Sequence, residues 1–517
     1  MKDRFTILLS SLFAILLGLS IIPSAAFGEA TSSPTQEVCS QQAYNTGWVT
    51  RENSKPGDSH WNDLVKHEKK GSVSGWFDKT SAACGDSVGL HLSGNGRPVL
   101  ISIYRMGYYN NAKARLIFSE RIGSVPQGIT PSPSQDETHL TTTNWPTTTT
   151  IHIDKGYPTG IYMARFDDGG EPGFAPLIIR NNASTSSLLM VAATLTWQAY
   201  NTWGGWSLYH GANPKIYSPG RIVSFDRPYD RDGKSNFTIN DAGIVETAEA
   251  QGLDISYTDD IYVDSHPASL LDHKSIIYDG HPEYWTAAMR SAAFQARNSA
   301  VNLLFLGANS AYWRVRLENG GRQIVCWKGS PNDPFKNDPT LITNKWGQSP
   351  TLLNESELLG ALTAGIGVEA DYKVNQGNIW PLIGSGLKTG DSIVGVVGKE
   401  VETTDIGLAP AVQTFLSSRV EILGVWYNIH LTYYTNPSMS GVIDVGTNGW
   451  VCTITNTCSW KSTATSKSRS LIVAITNQIL SAGANGPLAL SHPEVSDIPA
   501  RSKLEEICIA VCTKGTR

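Results

Sequence analysis

Past Ile22 the chain has no further apolar run long enough to cross a bilayer, which takes about 20 residues, so the body of the protein is expected to be soluble once exported. It lacks an excess of positive charge as well. Lys and Arg number 41 against 46 Asp and Glu, a net charge of -5 with pI ≈ 6.1, and this excludes the basic footprint that nucleic-acid binding requires. Methionine is scarce, at 6 residues against 15 Trp, 19 Tyr and 48 Gly. Such a balance suits turn-rich strands and aromatic-lined pockets better than helical bundles. There is no internal repeat. Cysteine is sparse too, with 7 residues, an odd number that leaves at least one thiol unpaired and fits an oxidising compartment. Cys39 with Cys84 and Cys452 with Cys458 are the expected pairs, the second because WVCTITNTCSW reads as a hairpin. Cys508 and Cys512 read as part of a terminal helix.

What is present begins with Lys2 and Arg4, the apolar run from Ile7 to Ile22, and small residues around Ala25 and Ala26. This is the order of a cleaved secretory signal. A chain of 517 residues exceeds what one core usually serves, so two domains are expected. Residues 1–30 are read as the signal and 31–70, rich in Ser, Thr, Pro and Asn, as an irregular lead-in. Over 71–182 the segments VGLHLSG, RPVLISIYRMGYY and GIYMARFDD alternate and are broken by turn residues, the pattern of a β-sandwich. Val125–Thr150 is read as a long loop. Over 183–490 strands SLLMVAAT, LDISYT, KSIIYDG and VNLLFLGA alternate with helices DAGIVETAEAQG and TAAMRSAAFQARNSA, which predicts an α/β domain with a parallel sheet. VEILGVWYNIHLTYYT and MSGVIDVGTNGWVCTITN read as added strands, SRSLIVAITNQIL as a packed helix, and 491–517 as a C-terminal tail.

The chemistry concentrates on GHPEYW, Gly280 to Trp285, which sits on a strand-to-helix turn, where open α/β sheets bind ligands. His281, Glu283 and Tyr284 stand there within four positions. The corresponding turn after VNLLFLGA is where hydrolases of this architecture carry a Ser or Cys nucleophile. Here it holds Asn309, with Ser310 one position off and Cys326 away from any such turn, so covalent catalysis is disfavoured. A glutamate near tyrosines offers hard oxygen donors, suited to an acidic, trivalent-type ion rather than zinc. Tyr200 in TWQAYNTWGGWSLY and Tyr229 in SFDRPYDRDG are the candidate phenolates. A phenol becomes a ligand only when a cation lowers its pKa from about 10.

Taken in order, TWQAYNTWGG, FDRPY, GHPEYW, GANSAYWRVR, CWK and VIDVGTNGW resemble the catalytic domain of the large (beta) subunit of N,N-dimethylformamidase and its secreted homologues. ISIYRMGYYNNAKARLI and GIYMARF resemble that family's N-terminal β-sandwich, so the likeness covers Gly71 to Trp450. The resemblance implies a Rossmann-like α/β domain similar to class I glutamine amidotransferases but without their cysteine. It also implies a mononuclear, ferric iron held by two tyrosines and a glutamate. Carried over, Glu283 matches the carboxylate ligand, Tyr200 and Tyr229 the two tyrosines, and His281 the acid/base. Asn309 and Lys328 match polar groups that orient substrate or stabilise an oxyanion. The implied activity is hydrolysis of a small amide to an acid and an amine. Self-association is allowed, and no small-subunit partner can be inferred. The alternative is a secreted carbohydrate- or cell-wall-binding protein whose metal site is degenerate.

Overall fold

The structure, a computed structural model, describes residues 44–63, 73–213, 217–230 and 233–502. The expected signal, Cys39, and the Cys508 and Cys512 pair lie outside the described residues. The chain is a mixed α/β protein with more strand than helix.

Between Ser74 and Arg180 the chain forms two sheets. Five strands run in the order Ser81–Ala83, Gly173–Arg180, Gly160–Asp167, Pro98–Met106 and Ala114–Ser124, and three in the order Ser74–Phe77, Ser87–Ser93 and Thr149–His152. One core draws on both: Phe77, Leu90 and Leu92 from the smaller sheet pack with Ile101, Ile103, Phe166 and Ile179 from the larger. Residues 125–148 form neither helix nor strand. The lead-in is not wholly irregular, because Trp48–Asn53 is a short helix whose Trp48 and Val49 are buried.

The second part is organised on a nine-stranded sheet. Its strands are Leu188–Ala192 (β1), Ile255–Asp259 (β2), Ser275–Gly280 (β3), Asn302–Gly307 (β4), Leu362–Val374 (β5), Ser392–Thr403 (β6), Gln413–Ile422 (β7), Val425–Thr435 (β8) and Gly441–Asp444 (β9). The order is β2-β1-β3-β4-β9-β8-β6-β5-β7. The first five are mutually parallel and the remaining pairings antiparallel. β7 also pairs along β8, so the antiparallel strands close on themselves.

The apolar runs explain why β1, β3 and β4 lie inside the sheet. Successive side chains face opposite sides of a strand, and here both sides are covered. Leu188, Met190, Ile277, Leu304 and Leu306 enter one core, with helices Ala242–Ala250 (α2) and Ser466–Asn485 (α4). Leu189, Val191, Ile276, Tyr278, Leu303 and Phe305 enter another, with helix Ala287–Asn298 (α3). Full burial of one such side chain stabilises by about 1.5–3 kcal/mol. Strands with two apolar faces therefore sit inside rather than at an edge.

WVCTITN is a helix, Gly449–Thr455, not a strand. Cys452 and Cys458 are nonetheless bonded, across the end of that helix rather than across a hairpin. Cys84 is disulfide-bonded and Cys326 is a buried free thiol. Asp241 precedes α2 as expected but makes no side-chain cap to it.

Candidate functional site

β3 and β4 lie side by side in register, with Gly280 opposite Gly307. Both positions require glycine. Gly280 has φ +61° and its backbone lies against Asn240, while a Cβ on Gly307 would stand 2.1 Å from the Gly280 carbonyl oxygen. The two loops leaving these strands can therefore start almost in contact, one carrying His281 and Glu283, the other Asn309.

The first loop is pinned from two sides. Thr196 Oγ1, on helix Thr194–Tyr200 (α1), accepts from the Glu283 N–H at 3.0 Å. The Glu283 carbonyl accepts from the N–H groups of Tyr312 and Trp313, both at 2.9 Å. Thr286 then caps α3 by accepting from the Met289 N–H. Glu283 is fully buried. Its Oε1 accepts from the Tyr209 hydroxyl, whereas its Oε2 has no hydrogen-bond partner and meets only His281 Nε2, at 3.4 Å.

Tyr200, at the end of α1, lies with its ring centroid 4.7 Å from that of Tyr209 and 5.3 Å from that of His281. Burial, and then the Glu283 carboxylate, push both phenol pKa values far above the ordinary range. Neither phenol ionises here without a cation to compensate.

His281 faces a second carboxylate that the sequence did not single out. Glu400, on β6, has Oε2 3.0 Å from His281 Nε2 and 2.7 Å from Asn309 Nδ2, so both nitrogens donate to one oxygen. Burial works against charge on the imidazole, but Glu400 and then Glu283 override it and hold the His281 pKa up at about 9. Asn309 occupies the turn after β4 with φ 57°, and its Oδ1 accepts from Thr363 Oγ1 at 2.8 Å.

Lys328 closes the other side. Its Nζ lies 3.4 Å from the Tyr209 ring centroid and 4.4 Å from that of Trp313, and donates to Tyr284 Oη at 2.8 Å. Burial lowers its pKa to about 8. Tyr284 thus serves as the acceptor for Lys328 as well as packing.

Tyr200, Glu283, His281, Asn309 and Lys328 are brought together. Tyr229 is set apart. It lines a crevice with Trp76, Phe77, Thr80 and Trp197, and the charges that act on it are Arg322, Arg227 and Asp259. The reason lies in Arg227, whose buried guanidinium donates to the carbonyls of Asn201, Trp203 and Trp206. That anchor fixes the FDRPY turn against the α1 loop and leaves Tyr229 beside the first part of the chain. The tyrosine beside Glu283 is Tyr209, returned to α1 by the Leu208 N–H bonding the Ala199 carbonyl at 2.9 Å.

Among the described residues no group of three His, Cys, Asp or Glu side chains is arranged to hold a metal. A donor set of two phenols and one carboxylate is a different arrangement, and Tyr200, Tyr209 and Glu283 fit it. Each bears oxygen, Tyr200 and Tyr209 are partly buried and Glu283 fully so, and Glu283 Oε2 stands without a hydrogen-bond donor. His281 Nε2 stands 3.4 Å from that oxygen without donating to it, which leaves the oxygen free as a ligand atom.

A family model described as N,N-dimethylformamidase beta subunit-like, C-terminal, matches residues 100–460. The matched span contains every residue of this site, Glu400 and Tyr209 included. No curated protein matches the chain.

Proposed function

The chain belongs to the N,N-dimethylformamidase beta subunit-like family, and from that premise we propose that it is an exported, iron-dependent hydrolase of small amides. The observation that carries the reading is the buried Glu283 carboxylate, whose Oε1 accepts from the Tyr209 hydroxyl with the Tyr200 ring beside Tyr209, and whose Oε2 has no hydrogen-bond donor. In this reading the part from Ser74 to Arg180 is a β-sandwich and the part from Leu188 onward an amidotransferase-like α/β domain. The Cys452–Cys458 disulfide supports export to an oxidising compartment. The beta subunit-like description points to a partner subunit.

Tyr200, Tyr209 and Glu283 would hold the iron. When bound, such an ion supplies Lewis acidity toward an amide carbonyl and toward water. The protein's own groups do the rest. His281, kept protonated by Glu400, carries a proton on Nε2 that it gives to the leaving nitrogen as the C–N bond breaks. Water contributes its hydroxyl to the carbonyl carbon, so the products are a carboxylic acid and an amine. Asn309 fixes the Glu400 carboxylate and with it the imidazole. Lys328, boxed by Tyr209 and Trp313, presents positive charge toward the oxygen on which negative charge grows.

The test is metal analysis of the purified mature protein together with amine release from N,N-dimethylformamide and other small amides. Iron near one per chain, a tyrosinate-to-iron absorption band and amine release support the reading. Iron-free protein that takes up no iron and releases no amine overturns it in favour of a secreted binding protein.

A further inference from the structure

A narrow ladder beside the site carries a lysine that the proposed chemistry leaves unused. Strand Trp313–Arg314 pairs with Tyr284–Trp285 on one side, Trp313 opposite Tyr284, and Trp313 bridges to Lys345 on the other. Trp313 is thus flanked by Tyr284 and Lys345. The Lys345 backbone is fixed through both of its neighbours: the Arg314 N–H donates to the Asn344 carbonyl at 2.9 Å, and the Trp346 N–H to the Tyr312 carbonyl at 3.1 Å. Trp313 itself belongs to the site, since its indole N–H donates to Tyr209 Oη at 3.2 Å and Tyr209 donates to Glu283. Tyr217, an exposed residue whose ring centroid lies 6.4 Å from that of Tyr209, continues this aromatic wall to the surface.

Two ammonium groups share the Trp313 indole. Lys328 Nζ lies 4.4 Å from its centroid and Lys345 Nζ 5.8 Å, and Lys345 Nζ also stands 4.7 Å from the Tyr312 centroid. The two lysines differ in what they hold. Lys328 donates to Tyr284 Oη. Lys345 is half-buried and makes no hydrogen bond or ion pair among the described residues. Its charge acts on Glu355, but the two do not meet as an ion pair. The three donors of its ammonium group are therefore uncommitted.

The balance of charge in the site points the same way. In the proposed iron form the charge of the metal is met by Tyr200, Tyr209 and Glu283, and that of His281 by Glu400, whose Oε2 lies 3.0 Å from Nε2. Lys328 and Lys345 are left over. Lys328 has a part in the reaction, at the oxygen on which negative charge grows, so Lys345 remains for a charge that the substrate brings with it. A carboxylate suits that place, because it accepts from an ammonium in a charge-assisted hydrogen bond. A molecule whose amide faces Lys328 and whose carboxylate faces Lys345 has only one indole ring to span.

We propose that Lys345 determines specificity by binding a carboxylate on the substrate, a proposal that rests on the amide-hydrolase reading of this site. The amides it favours are carboxylate-bearing ones, the class of N-acyl amino acids and of monoamides of dicarboxylic acids.

The test compares two acids with their neutral methyl esters on the full mature chain. N-formylglycine carries its carboxylate on the nitrogen side of the amide, and succinamic acid on the acyl side. With release of the amine or ammonia as the readout, kcat/KM for at least one acid should exceed that for its ester by about 10-fold, the worth of one hydrogen bond to a charged group. The difference should lie in KM, and the acid that shows it tells which side of the amide faces Lys345. Lys345→Gln should bring acid and ester to the same kcat/KM, while Lys345→Arg should keep the preference. Higher ionic strength should raise KM for the acid and leave that for the ester, a readout that decides alone should Lys345→Gln not fold. Esters hydrolysed as well as both acids overturn the proposal, and so does a preference that survives Lys345→Gln or ignores salt. Calorimetric titration with the two acids separates this outcome from failure of the hydrolase reading. Protein that hydrolyses none of the four compounds, yet binds an acid through Lys345, overturns the hydrolase reading and keeps the carboxylate site. Protein that neither hydrolyses nor binds them overturns both.

Discussion

Glu400 sets its Oε2 3.0 Å from Nε2 of His281, an approach made across the sheet from a strand far along the chain. The pair joins the loop after β3 to the antiparallel half of the sheet, so His281, the proposed acid/base, is held by a part of the fold that the GHPEYW segment gives no hint of.

Removing that charge tests its role. Glu400→Gln keeps the volume and an acceptor oxygen but no longer favours a charged imidazole. If His281 donates the proton to the leaving amine, kcat for amide hydrolysis should fall by about 10²–10⁴, the usual worth of a positioned acid or base. The melting temperature should change little, and iron content should not change. Unaltered kcat would remove Glu400 from the mechanism.

The identity of the second phenol ligand separates Tyr229, the residue expected from the sequence, from Tyr209, which the sequence reading did not single out. Tyr209 donates to Glu283 and lies over Lys328, whereas Tyr229 faces Trp76, Phe77 and Thr80. Tyr209→Phe and Tyr200→Phe should each lose most of the iron and the tyrosinate absorption band. Tyr229→Phe should retain both. Elemental analysis and the visible spectrum of the three purified variants read this directly, and an iron-free Tyr229→Phe protein would restore the expectation drawn from FDRPY.

How much of this was legible follows from the range of each signal. β1, β3 and β4 were readable because each is an apolar run with both faces buried. His281 and Glu283 were readable because their strand and helix flank them directly, and Asn309 because it takes the turn position where a nucleophile would stand. Glu400 was not, since an acid within SIVGVVGKEVET reads as an exposed strand position, and only the pairing of distant strands buries it. The choice of Tyr209 over Tyr229 depends on Arg227 tying down a loop, which no local pattern encodes. WVCTITN misled because its β-branched residues favour strand, while Trp450, Val451 and Cys452 are buried as part of a helix.

Glu355 gives the chain a stability that declines with pH. It is buried, and desolvation raises its pKa from 4.5 to about 7. A raised folded-state value means that the native state holds a proton that the unfolded chain releases. The stabilising contribution is complete below pH 4.5 and is lost as pH rises through about 7. Glu355→Gln abolishes the titration. The variant should match wild type in urea denaturation near pH 4.5 and exceed it at pH 8 by on the order of 1–3 kcal/mol. A wild-type advantage at pH 8 would show that the carboxylate is better compensated than its surroundings indicate.

Arg105 and Glu249 make the corresponding argument for the union of the two parts. Their side chains are completely buried and meet at 2.6 Å, Arg105 from the strand Pro98–Met106 and Glu249 from α2. Arg105 also donates to the Thr159 carbonyl, and Glu249 accepts from Tyr257 Oη at 2.8 Å and from Asn53 Nδ2 at 2.9 Å. Removing one partner strands the other charge in an interior where water cannot reach it, which typically costs about 3–5 kcal/mol. Glu249→Ala should therefore lose that much in chemical denaturation, although the residue is far from the proposed chemistry. Because the broken contact joins strands of the first part to a helix of the second, the loss should appear in calorimetry as one transition moved down as a whole. A variant in which an early transition separates while the main one stays in place would show instead that the two parts hold their stability independently, with the ion pair only aligning them.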